Sequence, residues 1–449
     1  MKQTKNIYFI GIGGIGMSAL ARYFNANGKT VKGYDKTASP LTAKLQEEGI
    51  EIHFEDNIEQ LDKNADLVVY TPAIPNDQKI LNWYQGNNFN LQKRSQVLGT
   101  LTQDTYCIAV AGSHGKTTIS SMIAHMLNET IGCTAFLGGI AINFGSNYIN
   151  SNNKTVVVEA DEYDRSFMTL KPNITVITSI DTDHLDIYGN YENIVKEFKE
   201  FAQLNAEDGL LIAQEEIADL DLNENTTQVS YGIENGEIFV SNYRIESGKY
   251  FFDVNFGEEV IKDFELNLAG KHNVENAVAA IIAVKTMNVP SEEIKKALAS
   301  FKGIYRRFEK RAETENTIYI DDYAHHPNEI KALLESVKEL FPNRKIVAIF
   351  QPHLFSRTKD LAEDFAKHLS IADEVLLMPI YPARENPMKG VTSDLILKEL
   401  SVEGKIVEKV DLISEVKAII ENNEPKVILT IGAGDIDRFT PLVVNEINK

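Results

Sequence analysis

Short apolar runs alternate with amphipathic stretches along the first two hundred residues, and the same alternation returns after residue 310. A strand buried on both faces of a parallel sheet reads as a short apolar run, whereas a helix packed on that sheet has apolar residues every three or four positions. In the first part the pattern predicts strands at 6–10, 30–34, 67–70, 107–111, 155–159 and 175–180, and helices at 17–27 and 117–128. This order is typical of βαβ units.

The middle of the chain has a different pattern. Between residues 209 and 268 apolar and polar residues alternate, which predicts antiparallel strands joined by turns. Helices are predicted at 274–286 and 291–301, the second with Ser291 as N-cap. A basic, turn-like stretch at 303–311 leads into the last part. There the pattern predicts strands at 317–321, 346–350, 374–377 and 427–431. The whole is an α/β pattern, and 449 residues are enough for about three domains.

Acidic residues outnumber basic ones by 65 to 45, so the formal net charge is −20 at pH 7. A surface of this sign repels the phosphate backbone, which argues against a nucleic-acid partner. Two cysteines are too few for a disulfide framework or a four-thiolate zinc site. No apolar run approaches the ~18 residues of a membrane-spanning helix. We therefore expect a cytoplasmic protein with neither a membrane nor a nucleic-acid partner, and its oligomeric state is left open.

A glycine-rich loop lies between the first predicted strand and the first helix, with the sequence Gly11-Ile12-Gly13-Gly14-Ile15-Gly16. It fits G-x-G-x-x-G, in which the glycines allow a tight turn and the approach of a diphosphate to the helix N-terminus. Asp35 ends the next strand, where dinucleotide-binding proteins bind the ribose. By itself the motif indicates NAD, and tight packing of strand against helix is the alternative explanation.

A second glycine loop follows the strand at 107–111, with the sequence Gly112-Ser113-His114-Gly115-Lys116-Thr117-Thr118. Its backbone N–H groups suit the phosphates of a nucleoside triphosphate. Lys116 would neutralise the β- and γ-phosphate oxygens, and the Thr117 hydroxyl would bind Mg²⁺. The loop departs from the strict P-loop pattern at Val110, where the first glycine is expected.

Polar residues follow several predicted strands, at the edge where open α/β sheets bind ligands. Glu159 begins a run of four carboxylates that suits Mg²⁺, and His184 could bind a second metal ion or the γ-phosphate. Further polar groups follow in the order His272, Asn273, Asn276, Arg306, Arg307, Asp321, Asp322, Tyr323, His325, His326 and His353. An N-cap role for Asn273 and a solvated basic turn at the two arginines are the alternatives. Two adjacent histidines rarely bind one metal, so no zinc site is predicted.

Together these motifs resemble those of the Mur ligases, ATP-dependent amide-bond-forming enzymes of peptidoglycan precursor synthesis. The matching segments run in family order along nearly the whole chain: 11–21, 112–118, 159–164, 183–184, 272–276, 306–308, 321–327 and 351–353. The resemblance implies a Rossmann-like domain at 1–102, whose glycine loop binds a UDP-sugar in place of NAD. It further implies a P-loop-type ATPase domain at 103–303, with a parallel sheet plus a smaller antiparallel sheet. The last implied domain is Rossmann-like, at 304–449, and helps to bind the nucleotide and the amino acid.

Within the family, the motifs are similar to those of members that join L-alanine to the carboxylate of UDP-N-acetylmuramate. The resemblance thus implies ATP and Mg²⁺ as cofactors and an acyl-phosphate intermediate. The implied catalytic residues are Lys116, Glu159, His184 and Arg307. The implied metal ligands are Thr117, Glu159 and His184. The implied nucleotide-binding residues are Gly112, Ser113, His114, Gly115, Lys116, Thr117, Thr118, His272, Asn276 and Asp322. The implied substrate-binding residues are Gly11, Gly13, Gly14, Ile15, Gly16, Ser18, Arg94, Tyr323, His325, His353 and Arg357.

The sequence departs from the family pattern at two positions. Tyr163 stands where members that add alanine commonly have serine, and members that recycle murein tripeptide also have tyrosine there. Leu354 replaces an arginine that often follows the Gln-Pro-His segment. Lys199 is the candidate for a carbamylated lysine of sister ligases, but a solvated helix face explains it as well. A tripeptide-recycling ligase is therefore the main alternative; an NAD-dependent oxidoreductase and a nucleotide-sensing regulator are the others.

Overall fold

The computed structural model of this chain describes residues 4–75, 77–181, 188–218, 226–246, 248–383 and 385–449. Within these ranges the strands form three sheets of five, ten and six strands, and helices alternate with strands along the chain. The prediction of a three-domain α/β fold is therefore confirmed.

The first sheet is parallel throughout. Its region contains β1 (Asn6–Ile10), α1 (Ile15–Ala26), β2 (Thr30–Tyr34), α2 (Pro40–Glu47), β3 (Glu51–His53), β4 (Leu67–Tyr70), α3 (Lys79–Gly86), β5 (Leu91–Lys93) and α4 (Arg94–Thr102). The strand order is β3-β2-β1-β4-β5. Along β1, Phe9 belongs to one core cluster and Tyr8 to another, because each face of the sheet is covered. The first glycine loop follows this central strand.

The second sheet has ten strands. Its region begins with β6 (Tyr106–Ala111), α5 (Lys116–Asn128), β7 (Thr134–Ala141), β8 (Ser146–Ile149), β9 (Thr155–Glu159), a 3-10 turn (Tyr163–Thr169), β10 (Ile174–Ile177), α6 (Tyr191–Ala202) and β11 (Leu210–Gln214). It continues with a short 3-10 turn (Glu215–Ile217), β12 (Thr227–Gly232), β13 (Ile238–Glu246), β14 (Lys249–Phe256), β15 (Glu259–Leu266), α7 (Lys271–Thr286) and α8 (Ser291–Ala299). The strand order is β15-β14-β13-β12-β11-β10-β6-β9-β7-β8.

Two sequence-based expectations are met only in part in this region. The strands between residues 209 and 268 extend the same sheet, and β11 and β12 run parallel to β10, so there is no separate antiparallel sheet in the described part of the chain. Alternation of buried and exposed residues is clearest in β13 and β15, where buried residues are separated by partly or fully exposed ones. Ser291 is the first residue of α8 and Pro290 is its N-cap, so the predicted cap is displaced by one residue.

The third sheet contains β16 (Glu309–Glu313), β17 (Thr317–Asp322), α9 (Pro327–Leu340), β18 (Lys345–Phe350), α10 (Phe355–Asp360), α11 (Ala362–Leu369), β19 (Glu374–Leu377), α12 (Asp394–Leu397), β20 (Glu403–Ile406), α13 (Leu412–Glu421), β21 (Lys426–Ile431), a 3-10 turn (Asp435–Phe439) and α14 (Thr440–Ile447). The strand order is β16-β17-β21-β18-β19-β20, parallel except for β16 at one edge.

The chain divides into two compact units, each with its own core. The first unit comprises residues 1–244, 251–266 and 275–302, and it holds most of the first two sheets. The second comprises residues 245–250, 267–274 and 303–449, with the third sheet. Among the helices of the described ranges, none combines the length and the apolar character needed to cross a bilayer.

Candidate active site

The first glycine loop is held in shape by Asp35. Its carboxylate accepts hydrogen bonds from the backbone N–H of Gly13 at 2.7 Å and of Thr37 at 3.0 Å. A Cβ on Gly13 would lie 2.8 Å from the same carboxylate, so only glycine fits there. The structure therefore gives Asp35 a role in shaping the loop. Helix α1 begins directly after Gly14, so its first N–H groups are available for an anion.

A cavity of about 310 Å³ opens beside this loop. Its lining consists of Gly14, Ile15, Gly16, Met17, Ala19, Leu20, Thr71, Pro72, Ala73, Arg94, Ser95, Leu98, Phe136, Leu137, Gly138, Glu159, Asp161, Tyr163 and Ser166. The Arg94 guanidinium lies against the loop, since a Cβ on Gly16 would be 3.0 Å from its Nη1 atom. Its other amino group lies 3.6 Å from the carboxylate of Asp161. Of the predicted substrate-binding residues, Gly14, Ile15, Gly16 and Arg94 thus share one cavity.

Ser18 does not belong to this cavity, which corrects the prediction for it. Its side chain is fully buried, donates to the carbonyl oxygen of Ile15 at 2.8 Å and accepts from Nδ2 of Asn147 at 3.0 Å. Asn147 lies on β8 of the second sheet and also accepts from Arg22 on α1. Ser18 is therefore part of the polar contact that joins helix α1 to the second sheet.

The second glycine loop has the conformation expected of a phosphate-binding loop. Gly115 has φ of +78° and is the N-cap of α5, so Lys116 is the first residue of that helix. Gly112 has φ of +132°, and a Cβ there would collide with the Thr178 side chain. The N–H of Ser113 donates to the carbonyl oxygen of Ser179 at 2.9 Å, which fixes the loop to the strand end beside it.

Lys116 is paired with a buried carboxylate. Its Nζ atom lies 2.8 Å from Oε1 of Glu162 and 2.5 Å from the carbonyl oxygen of Gly112. Burial by itself lowers the pKa of Lys116. The Glu162 carboxylate and the other acidic groups nearby have a larger effect in the opposite direction, so the pKa of Lys116 is raised above its ordinary value. Glu162 therefore binds a cation of the protein through Oε1, a contact that the run of carboxylates did not predict.

Thr117 and Glu159 meet at the same place. The Thr117 hydroxyl donates to Oε1 of Glu159 at 3.1 Å, and the N–H of Gly138 donates to Oε2 at 3.0 Å. Burial raises the pKa of Glu159, against the opposing charge of Lys116. A Cβ on Gly138 would lie 2.2 Å from Oε2, so this glycine makes room for the carboxylate. The sequence analysis missed Gly138, and only its place in the pair Gly138-Gly139 could have drawn attention to it.

Three further predicted nucleotide-binding residues lie around the second loop or on α7. The ring of His114 lies beside the carboxylate of Asp181, with Nε2 and Oδ2 2.9 Å apart. The side chain of Asn276 lies against Gly115, whose Cβ would be 2.6 Å from Oδ1 of Asn276. His272 lies in the first turn of α7, where desolvation and the charge of Arg307 lower the pKa of its imidazole to about 4. His184 lies outside the described residues.

In the second unit, Arg306 and Arg307 have different surroundings. Arg306 is 7% exposed, and its guanidinium donates to Asp321 at 3.0 Å and to the carbonyl oxygen of Gly432 at 2.6 Å. The side chain of Arg307 is 38% exposed and lies 5.6 Å from the ring centre of Tyr323. The Arg306 guanidinium is thus bound by groups of the protein, whereas the Arg307 guanidinium is accessible to solvent.

Asp322 is buried at the end of β17. Its two oxygens accept the backbone N–H groups of Phe308 at 2.6 Å and Ala324 at 2.7 Å. Burial raises the pKa of Asp322 to about 6, although Arg307 and both hydrogen bonds favour the ionised form. The carboxylate therefore ties together the two loops that carry Arg307 and Tyr323.

The remaining predicted side chains of the second unit form a chain of rings. Tyr323 and His325 have ring centres 5.2 Å apart, and His325 and His353 6.0 Å apart. Tyr381, which the sequence analysis missed, stacks on His353 with ring centres 5.9 Å apart. Burial and the positive charge of Arg357 lower the pKa of His325, while Glu329 opposes this. The structure thus brings together Tyr323, His325 and His353, with the charge of Arg357 acting on the same group.

Three family models match this chain. The one described as Mur ligase family, catalytic domain, matches residues 6–106. The Mur ligase middle domain matches residues 110–284, and the Mur ligase, glutamate ligase domain, matches residues 306–434.

The chain is also similar to individual proteins over nearly its whole length. It is 47% identical to the UDP-N-acetylmuramate–L-alanine ligase of Flavobacterium johnsoniae, covering 100% of this chain and 99% of that protein. The protein of the same name from Porphyromonas gingivalis strain W83 is 45% identical, with 97% of each chain covered. Among solved structures, UDP-N-acetylmuramate-alanine ligase from Thermotoga maritima matches with a TM-score of 0.84, 31% identity and 99% of each chain covered. A murein peptide ligase from Psychrobacter arcticus shares the fold, with a TM-score of 0.71 and 22% identity.

Proposed function

This chain belongs to the Mur ligase family, and from this we propose that it is an ATP-dependent ligase that joins L-alanine to the carboxylate of UDP-N-acetylmuramate. The observation that carries the proposal is the cavity that reaches from Gly14 and Gly16 at the N-terminus of α1 to Glu159 beside the second loop. An elongated nucleotide sugar bound there would have its diphosphate at one end and its carboxylate at the other.

The reaction follows from this placement as two displacements. A carboxylate oxygen of the sugar attacks the γ-phosphorus of ATP, the bond to the bridging oxygen breaks, and ADP leaves. The amine of L-alanine then attacks the carbonyl carbon of the acyl phosphate, loses a proton, and displaces phosphate. We assign to Lys116 the stabilisation of the transferred phosphoryl group, since its Nζ is positioned at the loop by Glu162 and Gly112. Binding both substrates in fixed orientation supplies much of the remaining acceleration.

We further propose that Mg²⁺ binds at Thr117 and Glu159. A hydroxyl and a carboxylate oxygen 3.1 Å apart are ligands of the type this ion uses, and it commonly binds one or two protein groups together with waters and phosphates. Within the described ranges, no group of three or more His, Cys, Asp or Glu side chains is arranged for a metal. When bound, the ion would offset charge on the phosphates. His184, outside the described residues, is proposed as a ligand of a second ion.

The other roles are proposals of the same kind. Residues 112–118 with His272, Asn276 and Asp322 would bind the nucleotide, and Arg307 its phosphates. Tyr323, His325, His353 and Arg357 would bind L-alanine and the carboxylate of the sugar. The domains would be 1–102, 103–303 and 304–449. The enzyme would act in peptidoglycan precursor synthesis in the cytoplasm, where ATP and nucleotide sugars are available.

Phosphate release from ATP tests the function directly. We expect turnover with Mg²⁺ only when UDP-N-acetylmuramate and L-alanine are both present. Glycine, L-serine and the murein tripeptide serve as alternative amines, and a preference for the tripeptide would contradict the assignment. Lys116→Ala is the inactive control. The relatives named above favour alanine over the tripeptide, and an NAD-dependent oxidoreductase would leave the second loop without a role.

A further inference from the structure

Tyr163 is a large aromatic residue on the wall of the cavity and has no role in the mechanism above. It lies four residues after Glu159, begins the 3-10 turn and is 37% exposed. We propose that Tyr163 positions the sugar ring of UDP-N-acetylmuramate and so determines which sugar nucleotides the enzyme accepts. This inference rests on the proposed function.

The turn that carries Tyr163 is fixed at both ends. At its start, the N–H of Tyr163 donates to Oδ1 of Asp161 at 3.1 Å. At its end, the Thr169 hydroxyl donates to the carbonyl oxygen of Ser95, on α4, at 2.8 Å. Gly99 allows this approach, since a Cβ there would lie 2.4 Å from the Thr169 carbonyl oxygen. Tyr163 is therefore presented by backbone that is anchored to both the second sheet and α4.

Two sets of residues in the cavity lining indicate what lies near Tyr163. Gly14 and Gly16 suit a diphosphate, and Glu159 lies beside the loop where phosphoryl transfer would occur. In UDP-N-acetylmuramate the sugar ring separates these two groups. The sugar would therefore lie within this cavity, whose lining includes Tyr163 and Ser166.

An aromatic ring suits this part of the ligand. The C–H face of a pyranose is apolar enough to pack on an aromatic face, and a tyrosine has few rotatable bonds to order on binding. Removing the ring would take away this packing surface while the diphosphate end kept its contacts. Binding of the sugar part and binding of UDP should therefore respond differently to substitution of Tyr163.

Calorimetric titration of the full chain with UDP and with UDP-N-acetylmuramate tests the inference. We expect Tyr163→Ser to weaken UDP-N-acetylmuramate binding about tenfold or more, and to leave UDP binding within about twofold of the unsubstituted enzyme. Tyr163→Phe should stay within about threefold for both ligands, because the ring face is retained. The KM for UDP-N-acetylmuramate should rise in Tyr163→Ser while the KM for ATP does not change. Tyr191→Ser is the matched control, because Tyr191 is 43% exposed and absent from the cavity lining.

Three results would overturn the inference. Tyr163→Ser could bind UDP-N-acetylmuramate as tightly as the unsubstituted enzyme, or lose UDP to the same extent as the sugar nucleotide. Tyr163→Phe could also be as weak as Tyr163→Ser, which would assign the effect to the hydroxyl. A different result would count against the proposed function itself: an unsubstituted enzyme that binds UDP-N-acetylmuramate no more tightly than UDP.

Discussion

Lys116 and Glu162 form an ion pair whose side chains are 14% and 5% exposed, with Nζ and Oε1 2.8 Å apart. The two residues lie 46 positions apart in sequence, one in the second glycine loop and the other after β9. Lys116, which we propose contacts the phosphate groups, is thus kept charged and in place by a carboxylate that is withdrawn from solvent.

This pair predicts strong energetic coupling. Glu162→Gln should lower the free energy of unfolding by about 3 kcal/mol, because the buried charge of Lys116 loses the carboxylate that is paired with it. The double variant Lys116→Met/Glu162→Gln should recover most of that loss. Denaturant unfolding of the unsubstituted protein, of the two single variants and of the double variant gives the coupling energy between the two side chains. The exposed pair Lys196–Glu200 is the control, with expected coupling below about 0.5 kcal/mol. A coupling for Lys116 and Glu162 as small as the control's would refute the prediction.

Gly138 predicts a metal-dependent defect. Gly138→Ala places a Cβ 2.2 Å from Oε2 of Glu159, so the carboxylate must move away from Thr117. We expect the Mg²⁺ concentration for half-maximal phosphate release to rise about tenfold, which corresponds to about 1.4 kcal/mol. Titration of activity with Mg²⁺ measures it. Gly86→Ala, at a position with open space around it, is the control. An unchanged Mg²⁺ requirement in Gly138→Ala would place the metal elsewhere.

Asn147 predicts a stability effect at the contact between α1 and the second sheet. Its side chain is fully buried and bonds to Ile15, Ser18 and Arg22. Asn147→Ala leaves a buried guanidinium and a carbonyl oxygen without these partners, and should cost about 3 kcal/mol. Denaturant unfolding followed by the fluorescence of the single tryptophan measures it.

Ser18→Ala is a smaller change at the same contact, and its loss of stability can be compared with that of Asn147→Ala. It removes one hydroxyl, so about 1 kcal/mol is expected. Equal losses in the two variants would show that the Arg22 contact contributes nothing.

Asp322 predicts a pH-dependent effect. Burial raises its pKa in the folded protein to about 6, above the ordinary value of about 3.9. Between these values the folded state binds the proton more tightly than the unfolded chain. The contribution of Asp322 to stability therefore falls as pH rises from about 4 to about 6, and is constant above that range.

Asp322→Asn removes this dependence. The difference between the free energy of unfolding of Asp322→Asn and that of the unsubstituted protein should increase by up to about 3 kcal/mol from pH 4 to pH 7, in favour of the variant. Denaturant unfolding followed by circular dichroism at several pH values measures the difference. Asp394→Asn, at an exposed residue, is the control for the substitution itself. A difference that does not vary with pH for Asp322→Asn would mean that its carboxylate ionises as it does in the unfolded chain.

The sequence by itself determined the strands and the loops that follow them. Asn6–Ile10, Thr30–Tyr34, Leu67–Tyr70, Thr155–Glu159 and Glu374–Leu377 have the predicted bounds. A parallel strand covered on both faces has to be a continuous apolar run, and the glycines and polar residues after it mark its end. Both glycine loops could be recognised for a similar reason, because the spacing of their glycines is a local sequence pattern.

The tertiary structure decided which side chains meet. Ser18 is buried by Asn147, 129 positions away, and Glu162 is paired with Lys116 although its neighbour Glu159 contacts Thr117. The requirement for glycine at position 138 on β7 likewise comes from Glu159 on β9, the strand that pairs with β7 in the sheet. Such contacts depend on strand order and on the directions of side chains from elements far apart in the chain, and no local pattern of residues records them.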